Sequence, residues 1–179
     1  MNTILNCTFK KKNMINLKKL FFPKLYEKQE KQKVKNELSS LLTKVKDGDI
    51  VFEKMIDPKY KEFITTHLLT HVCIYSKDSN NAVKAFAELK SLCKNGVTYG
   101  NLASIAIESS TEEVAKIACD NFFSKENFLI SLAEKLEERS KYIYVKEAAK
   151  NALLQRKNTL GSDEYHNERQ AEIAALSFL

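Results

Sequence analysis

AVKAFAELKSL at 82–92, EVAKIACDNFF at 113–123 and YVKEAAKNALL at 144–154 decide the reading of this chain. Val83, Val114 and Val145 are each 31 residues from the next, and so are Ala87, Ala118 and Ala149. Within each stretch the apolar residues share one helical face: Val83, Phe86 and Ala87, then Val114, Ile117 and Ala118, then Val145, Ala148 and Ala149. A fixed period of this size predicts stacked helical hairpins. The recurrent alanine has a physical reason, since a methyl group lets neighbouring helices approach where a larger side chain would clash. Two further columns keep the same step, Ile74, Ile105 and Leu136, and Leu68, Tyr99 and Ile130.

The segments between the apolar stretches read as helix ends. KDSNN (77–81), ESSTEE (108–113) and ERSKY (138–142) are rich in side chains that take up the orphan N–H groups of a helix start. Ser110-Thr111 with Glu113, and Ser109 with Glu112, have the form of capping boxes. Asn95-Gly96 and Ser124 supply turns, and residues 158–162 around Gly161 read as a linker before a last helix over 163–179. Upstream, Leu38, Leu41, Leu42 and Val45 mark another buried helical face, which Asp47-Gly48-Asp49 ends. Ile50-Val51-Phe52, bounded by Asp57-Pro58, is either a short helix or a loop.

Composition agrees with helix. Four glycines and two prolines are too few for the turns of an all-β fold. The 179 residues are enough for one domain with a real core. The expected fold is therefore all-α, a short α-solenoid of about three antiparallel helix pairs with a 31-residue repeat and capping helices at both ends. The expected organisation is a basic segment, 1–35, helical or partly disordered, followed by one helical domain, 36–179.

Charge sets that first segment apart. Residues 1–35 hold ten lysines against Glu27 and Glu30, while the whole chain carries a net +6, so the remainder is slightly acidic. That weakens any reading in which the body grips nucleic acid through bulk charge. In 1–35, Met14-Ile15, Leu17 and Leu20-Phe21-Phe22 interleave with Lys18, Lys19 and Lys24. The segment reads either as a membrane-surface or targeting helix, aided by lipidation at Cys7, or as a first helix capping the stack. MNTILNCTFKKK puts its apolar patch before its charges, the reverse of a secretory signal, and no apolar run spans a bilayer. Cys73, Cys93 and Cys119 sit among apolar neighbours and form no CxxC pair, as expected of small buried residues in a reducing compartment. The expected location is cytoplasmic. The alternative is a secreted effector, because DEYHNERQAEIAALSFL at the C-terminus resembles the secretion signal of bacterial type IV effectors.

Over about residues 63–156 the chain resembles the short HEAT-like helical repeats of the phycobilisome-lyase type. The resemblance rests on a turn holding Asp78, Ser109-Ser110 or Ser140, then the valine column, then the alanine column. In that family an arginine often follows the valine and pairs with an aspartate of the turn; here Lys84, Ala115 and Lys146 stand there. The resemblance implies α-solenoid packing and leaves function open. The ankyrin TPLH pattern and the marks of tetratricopeptide repeats are missing.

Catalytic signatures are sparse. His67 and His71 stand one helical turn apart, but Leu68 occupies the position where a zinc protease needs its glutamate, and Cys73 points elsewhere on the helix. GxGxxG, GxxxxGKS and GxSxG loops are missing, and His166 lies in a polar tail far from every cysteine. Glu88, Asp120 and Glu134 read as ordinary helix-surface carboxylates. No catalytic residue, cofactor or metal is expected. The candidate binding residues are Lys84, Lys116, Lys146 and Lys150 on the outer side of the second helices, with Tyr142 and Tyr144 at the edge of the last pair. Glu88, Glu112 and Glu147 interleave with these lysines, as they would on a plain solvated face. The expected function is a non-enzymatic protein-protein scaffold or adaptor. The alternatives are nucleic-acid binding through the Lys-rich arm and a small enzyme with its site between helices.

Overall fold

A computed structural model of the chain describes residues 22–44, 46–125 and 127–176. Cys7, Val45 and most of the apolar-basic leader lie outside the described residues. Those that are described form helices and no strand. In order they are α1 (Pro23–Lys44), α2 (Gly48–Met55), a 3-10 helix (Pro58–Phe63), α3 (Thr66–Tyr75), α4 (Ser79–Leu92), α5 (Tyr99–Glu108), α6 (Glu112–Phe123), α7 (Ile130–Arg139), α8 (Ile143–Leu160) and α9 (Ser162–Leu176).

Local chemistry sets the ends. Thr65 and Thr98 accept the Leu68 and Asn101 amides at the starts of α3 and α5. Asp78 accepts the Asn80 and Asn81 amides and opens α4. Asp47 does the same for α2, so Ile50-Val51-Phe52 is helical and buries Val51 and Phe52. Pro23 starts α1, a position where its missing N–H costs nothing. α1 then runs without a break across residues 35 and 36. Its Leu38 is buried, with Leu41 and Leu42 partly buried against the core.

The helices pack in adjacent pairs, α3 with α4, α5 with α6 and α7 with α8. Across pairs, α3 lies against α5 and α5 against α7, while α4 lies against α6 and α6 against α8. The shared interior takes Leu69, Val72, Leu102, Ile105, Ala133 and Leu136 from α3, α5 and α7. From α4, α6 and α8 it takes Ala85, Leu89, Ala118, Phe122, Ala149 and Leu153. Each larger aliphatic side chain removed from water in this way contributes about 1.5–3 kcal/mol.

The register departs from a constant step of 31. Ser76, Ser109 and Ser140 end α3, α5 and α7, at steps of 33 and then 31. The residues preceding those helices, Thr65, Thr98 and Leu129, keep the same two steps. The cause is length: α4 has 14 residues and α6 has 12. Val114, Ala118, Val145 and Ala149 are fully buried, but Val83 is only half-buried and Ala87 is exposed. On α4 the inward face is Ala82, Ala85, Phe86 and Leu89 instead.

The three serines are buried, and Ser109 and Ser140 each bond back to the preceding pair. Ser109 Oγ lies 3.0 Å from the Cys73 carbonyl oxygen, and Ser140 Oγ lies 3.3 Å from that of Ala106. The Ser110 amide donates to the Ile74 carbonyl at 2.7 Å, and the Tyr142 hydroxyl donates to the Ser109 carbonyl at 2.9 Å. The expected capping boxes therefore do not form. Thr111 makes no side-chain cap, and the Ser109 hydroxyl oxygen accepts the Thr111 amide while its proton serves carbonyls. Glu113 instead accepts the Ser79 hydroxyl of the neighbouring pair.

Each end is closed by a carboxylate. Asp49 accepts the Ser76 hydroxyl, the Lys77 and Asp78 amides at 3.0 and 3.3 Å, and the Asn81 side-chain amide at 3.0 Å. Burial opposes its ionisation, but these hydrogen bonds outweigh it and hold the carboxyl below its usual range. At the far end Glu172 of α9 accepts the Ile130 and Ser131 amides, both at 2.9 Å, which open α7. Arg169 grips Glu134 through both carboxylate oxygens at 2.7 and 2.8 Å. The expected linker over 158–162 shrinks to one residue: α8 continues to Leu160, and Gly161, with φ of 80°, turns the chain into α9.

Candidate functional site

Two of the six proposed binding residues, Lys116 and Tyr144, meet at the seam of α6 and α8, while Lys146 turns toward α7. The Lys116 ammonium sits 4.6 Å from the centroid of the Tyr144 ring. The Tyr144 hydroxyl donates to Asp120 Oδ1 at 2.5 Å. That hydrogen bond to Asp120, with a smaller contribution from desolvation, pushes the phenol up to about 12. Lys146, two residues on, reaches the Glu138 carbonyl at 3.4 Å. Ile143 is 73% exposed beside Tyr144, and Leu154 is 58% exposed further along α8. Ile143, Lys150 and Leu154 are spaced by seven and four residues, which sets them on one outward row. The sequence reading missed Ile143 and Leu154, which that spacing beside Lys150 would have marked, and Asp120 joins the set only through its partner on the next helix.

Lys84 and Tyr142 stand apart from this set. Lys84 borders a groove between α2 and α4, with Phe52, Met55 and Ile56 on the wall and Glu88 nearby. Tyr142 is half-buried, and its hydroxyl ties α8 to the end of α5. The lysines also occupy unlike positions in the stack. By the steps of 33 and 31, Lys84 corresponds to Ile117 and Ala148, whereas Lys116 corresponds to Val83 and Glu147. They therefore form no single column.

His67 is exposed, and the His71 ring rests 4.6 Å from that of Tyr75. Among the described residues no three His, Cys, Asp or Glu side chains group as a metal site would need. Cys73 and Cys119 are buried, and desolvation pushes both thiols up to about 12, far from the range of a nucleophile. On α1, Lys31 pairs with Glu27 and Glu62 at 3.4 and 3.3 Å, and Lys33 pairs with Glu30, so part of the basic face is neutralised locally. No described helix is long and apolar enough to cross a membrane.

Comparison of the chain with protein-family models, with curated proteins and with solved structures finds no match.

Proposed function

We propose that the chain is a short α-solenoid of three HEAT-like helix pairs that holds a protein partner and carries out no reaction itself. The observation behind this reading is the outward face of α8 and its seam with α6. Ile143, Tyr144 and Leu154 offer apolar surface there, with Lys116, Lys146 and Lys150 around them. An amphipathic partner helix with acidic flanks complements that pattern. Tyr144 is already held by Lys116 and Asp120, so binding would cost it little rotamer entropy. A cytoplasmic location belongs to the same reading, since unpaired buried thiols persist in a reducing compartment.

The test is affinity capture from cell extract with the full chain and two variants, Ile143→Asp/Leu154→Asp and Lys146→Glu/Lys150→Glu. The altered side chains are solvent-facing, so circular dichroism should match the wild type. The expected result is one protein retained in stoichiometric amount by the wild type and lost by both variants. A wild type that retains nothing, or variants that retain the same protein, removes this face as the binding surface.

A further inference from the structure

An open pocket of about 360 Å³ lies between the end of α6 and the C-terminal half of α8, on residues distinct from the proposed protein-binding face. Its size falls in the range of small-molecule sites, roughly 300–1,000 Å³. Phe123 and Phe128 form an apolar wall, packed edge to face with centroids 5.1 Å apart, and Ala152 adds to it. Opposite in character are Lys125 and Arg156, both lining the cavity, with the Gln155 amide beside them. No carboxylate lines it among the described residues.

Both cations are fixed before any ligand arrives. Lys125 Nζ donates to the Val97 carbonyl at 2.9 Å and lies 4.4 Å from the Tyr99 ring centroid. That carbonyl uses one of its three N–H groups. Arg156 Nη2 donates to Glu168 at 2.6 Å, but its Nε–H is buried without a hydrogen-bond partner. The Nε–H has almost no exposed surface, so a ligand in the pocket would meet the remaining guanidinium N–H groups of Arg156.

We infer that this cavity binds a small apolar acid, with its aliphatic or aromatic body against Phe123 and Phe128 and its carboxylate taken by Lys125 and Arg156. The test uses the full chain labelled with nitrogen-15, titrated separately with octanoate, octan-1-ol and inorganic phosphate. Octanoate should give saturable amide shifts confined to residues 123–128 and 152–159, with octanol and phosphate each at least about tenfold weaker, as loss of a charged hydrogen bond or of the apolar contact requires. Arg156→Gln should weaken octanoate by about tenfold. That variant also breaks the Glu168 pair, so Lys125→Gln, which leaves the pair intact, should weaken it in the same direction. No saturable shift at those amides, octanol or phosphate binding as well as octanoate, or both variants binding as the wild type would each overturn the site.

Discussion

Ser109 hands its buried hydroxyl to the carbonyl oxygen of Cys73, 3.0 Å away, and joins the turn between α5 and α6 to the end of α3. Ser140 repeats the contact one pair later with Ala106. The two acceptors stand alike, each three residues before the serine that ends its own helix, Ser76 or Ser109. A helix end leaves its last carbonyls without partners, and a buried one needs a donor from elsewhere.

Ser109→Ala should therefore cost about 1–3 kcal/mol, because it strands a buried carbonyl without filling any space. Ser110→Ala next to it should stay within about 0.5 kcal/mol, since Ser110 bonds across through its backbone amide and its side chain is exposed. Urea unfolding of the two variants checks this. Equal effects would mean that the buried hydroxyl carries no special burden.

Gly48 and Gly100 should respond to alanine in opposite directions. A Cβ at Gly48 would lie 2.3 Å from the Ser76 nitrogen and 2.7 Å from the Tyr75 carbonyl carbon, both backbone atoms that cannot step aside alone. Gly48→Ala should destabilise by about 3 kcal/mol and loosen α2, seen as faster proteolysis around residues 46–57. At Gly100 a Cβ meets nothing within 4 Å, and the residue lies in the first turn of α5. Gly100→Ala should stabilise by about 0.5–1 kcal/mol in the same denaturation assay.

Glu172 caps a helix to which it does not belong. Its carboxylate accepts the two amides that open α7, where the preceding residue, Leu129, has no side-chain acceptor to offer. Glu172→Ala should cost about 1–3 kcal/mol and speed hydrogen exchange at Ile130 and Ser131. Glu172→Gln, which keeps one acceptor oxygen, should lose less. Unchanged exchange at those two amides in Glu172→Ala would show that the cap does not hold in solution.

The thiols predict both a reactivity order and a pH dependence. Cys93 is half-buried at the end of α4, whereas Cys73 and Cys119 are buried. In a Cys7→Ser background, iodoacetamide should modify Cys93 first and the other two only on unfolding, as mass spectrometry would resolve. Desolvation raises Cys73 and Cys119 from 9.0 to about 12, so between those values the unfolded chain has released protons that the folded chain still holds. Stability from this source is complete below pH 9.0 and declines as pH rises toward about 12. The urea midpoint should fall more steeply above about pH 9 in the wild type than in Cys73→Ala/Cys119→Ala. Parallel curves would remove the thiols as the cause.

Much of the fold is legible in the chain, but the register is not legible from its apolar column. Val83 aligns by identity with Val114 and Val145, yet only the last two are fully buried. The better markers are polar: Thr65 and Ser76, then Thr98 and Ser109, each pair eleven residues apart and framing one helix. An apolar side chain two residues off can still find a half-buried place. A capping hydroxyl cannot, because a hydrogen bond tolerates only a few tenths of an ångström. The capping-box reading failed for a related reason, since Ser109 has a buried carbonyl from another helix to satisfy.

Helicity and pairing follow from short-range facts, few glycines and prolines and apolar residues returning every turn, which any stretch of the chain states for itself. What meets across the pairs does not. Lys116 reaches Tyr144 and Glu172 reaches Ile130 only because whole helices settle side by side, and no local preference encodes a contact between residues 28 or 42 positions apart. Arg156, which lines one pocket with Phe123 and Phe128, belongs to the same class: packing places it there, and its chemistry becomes readable only afterwards.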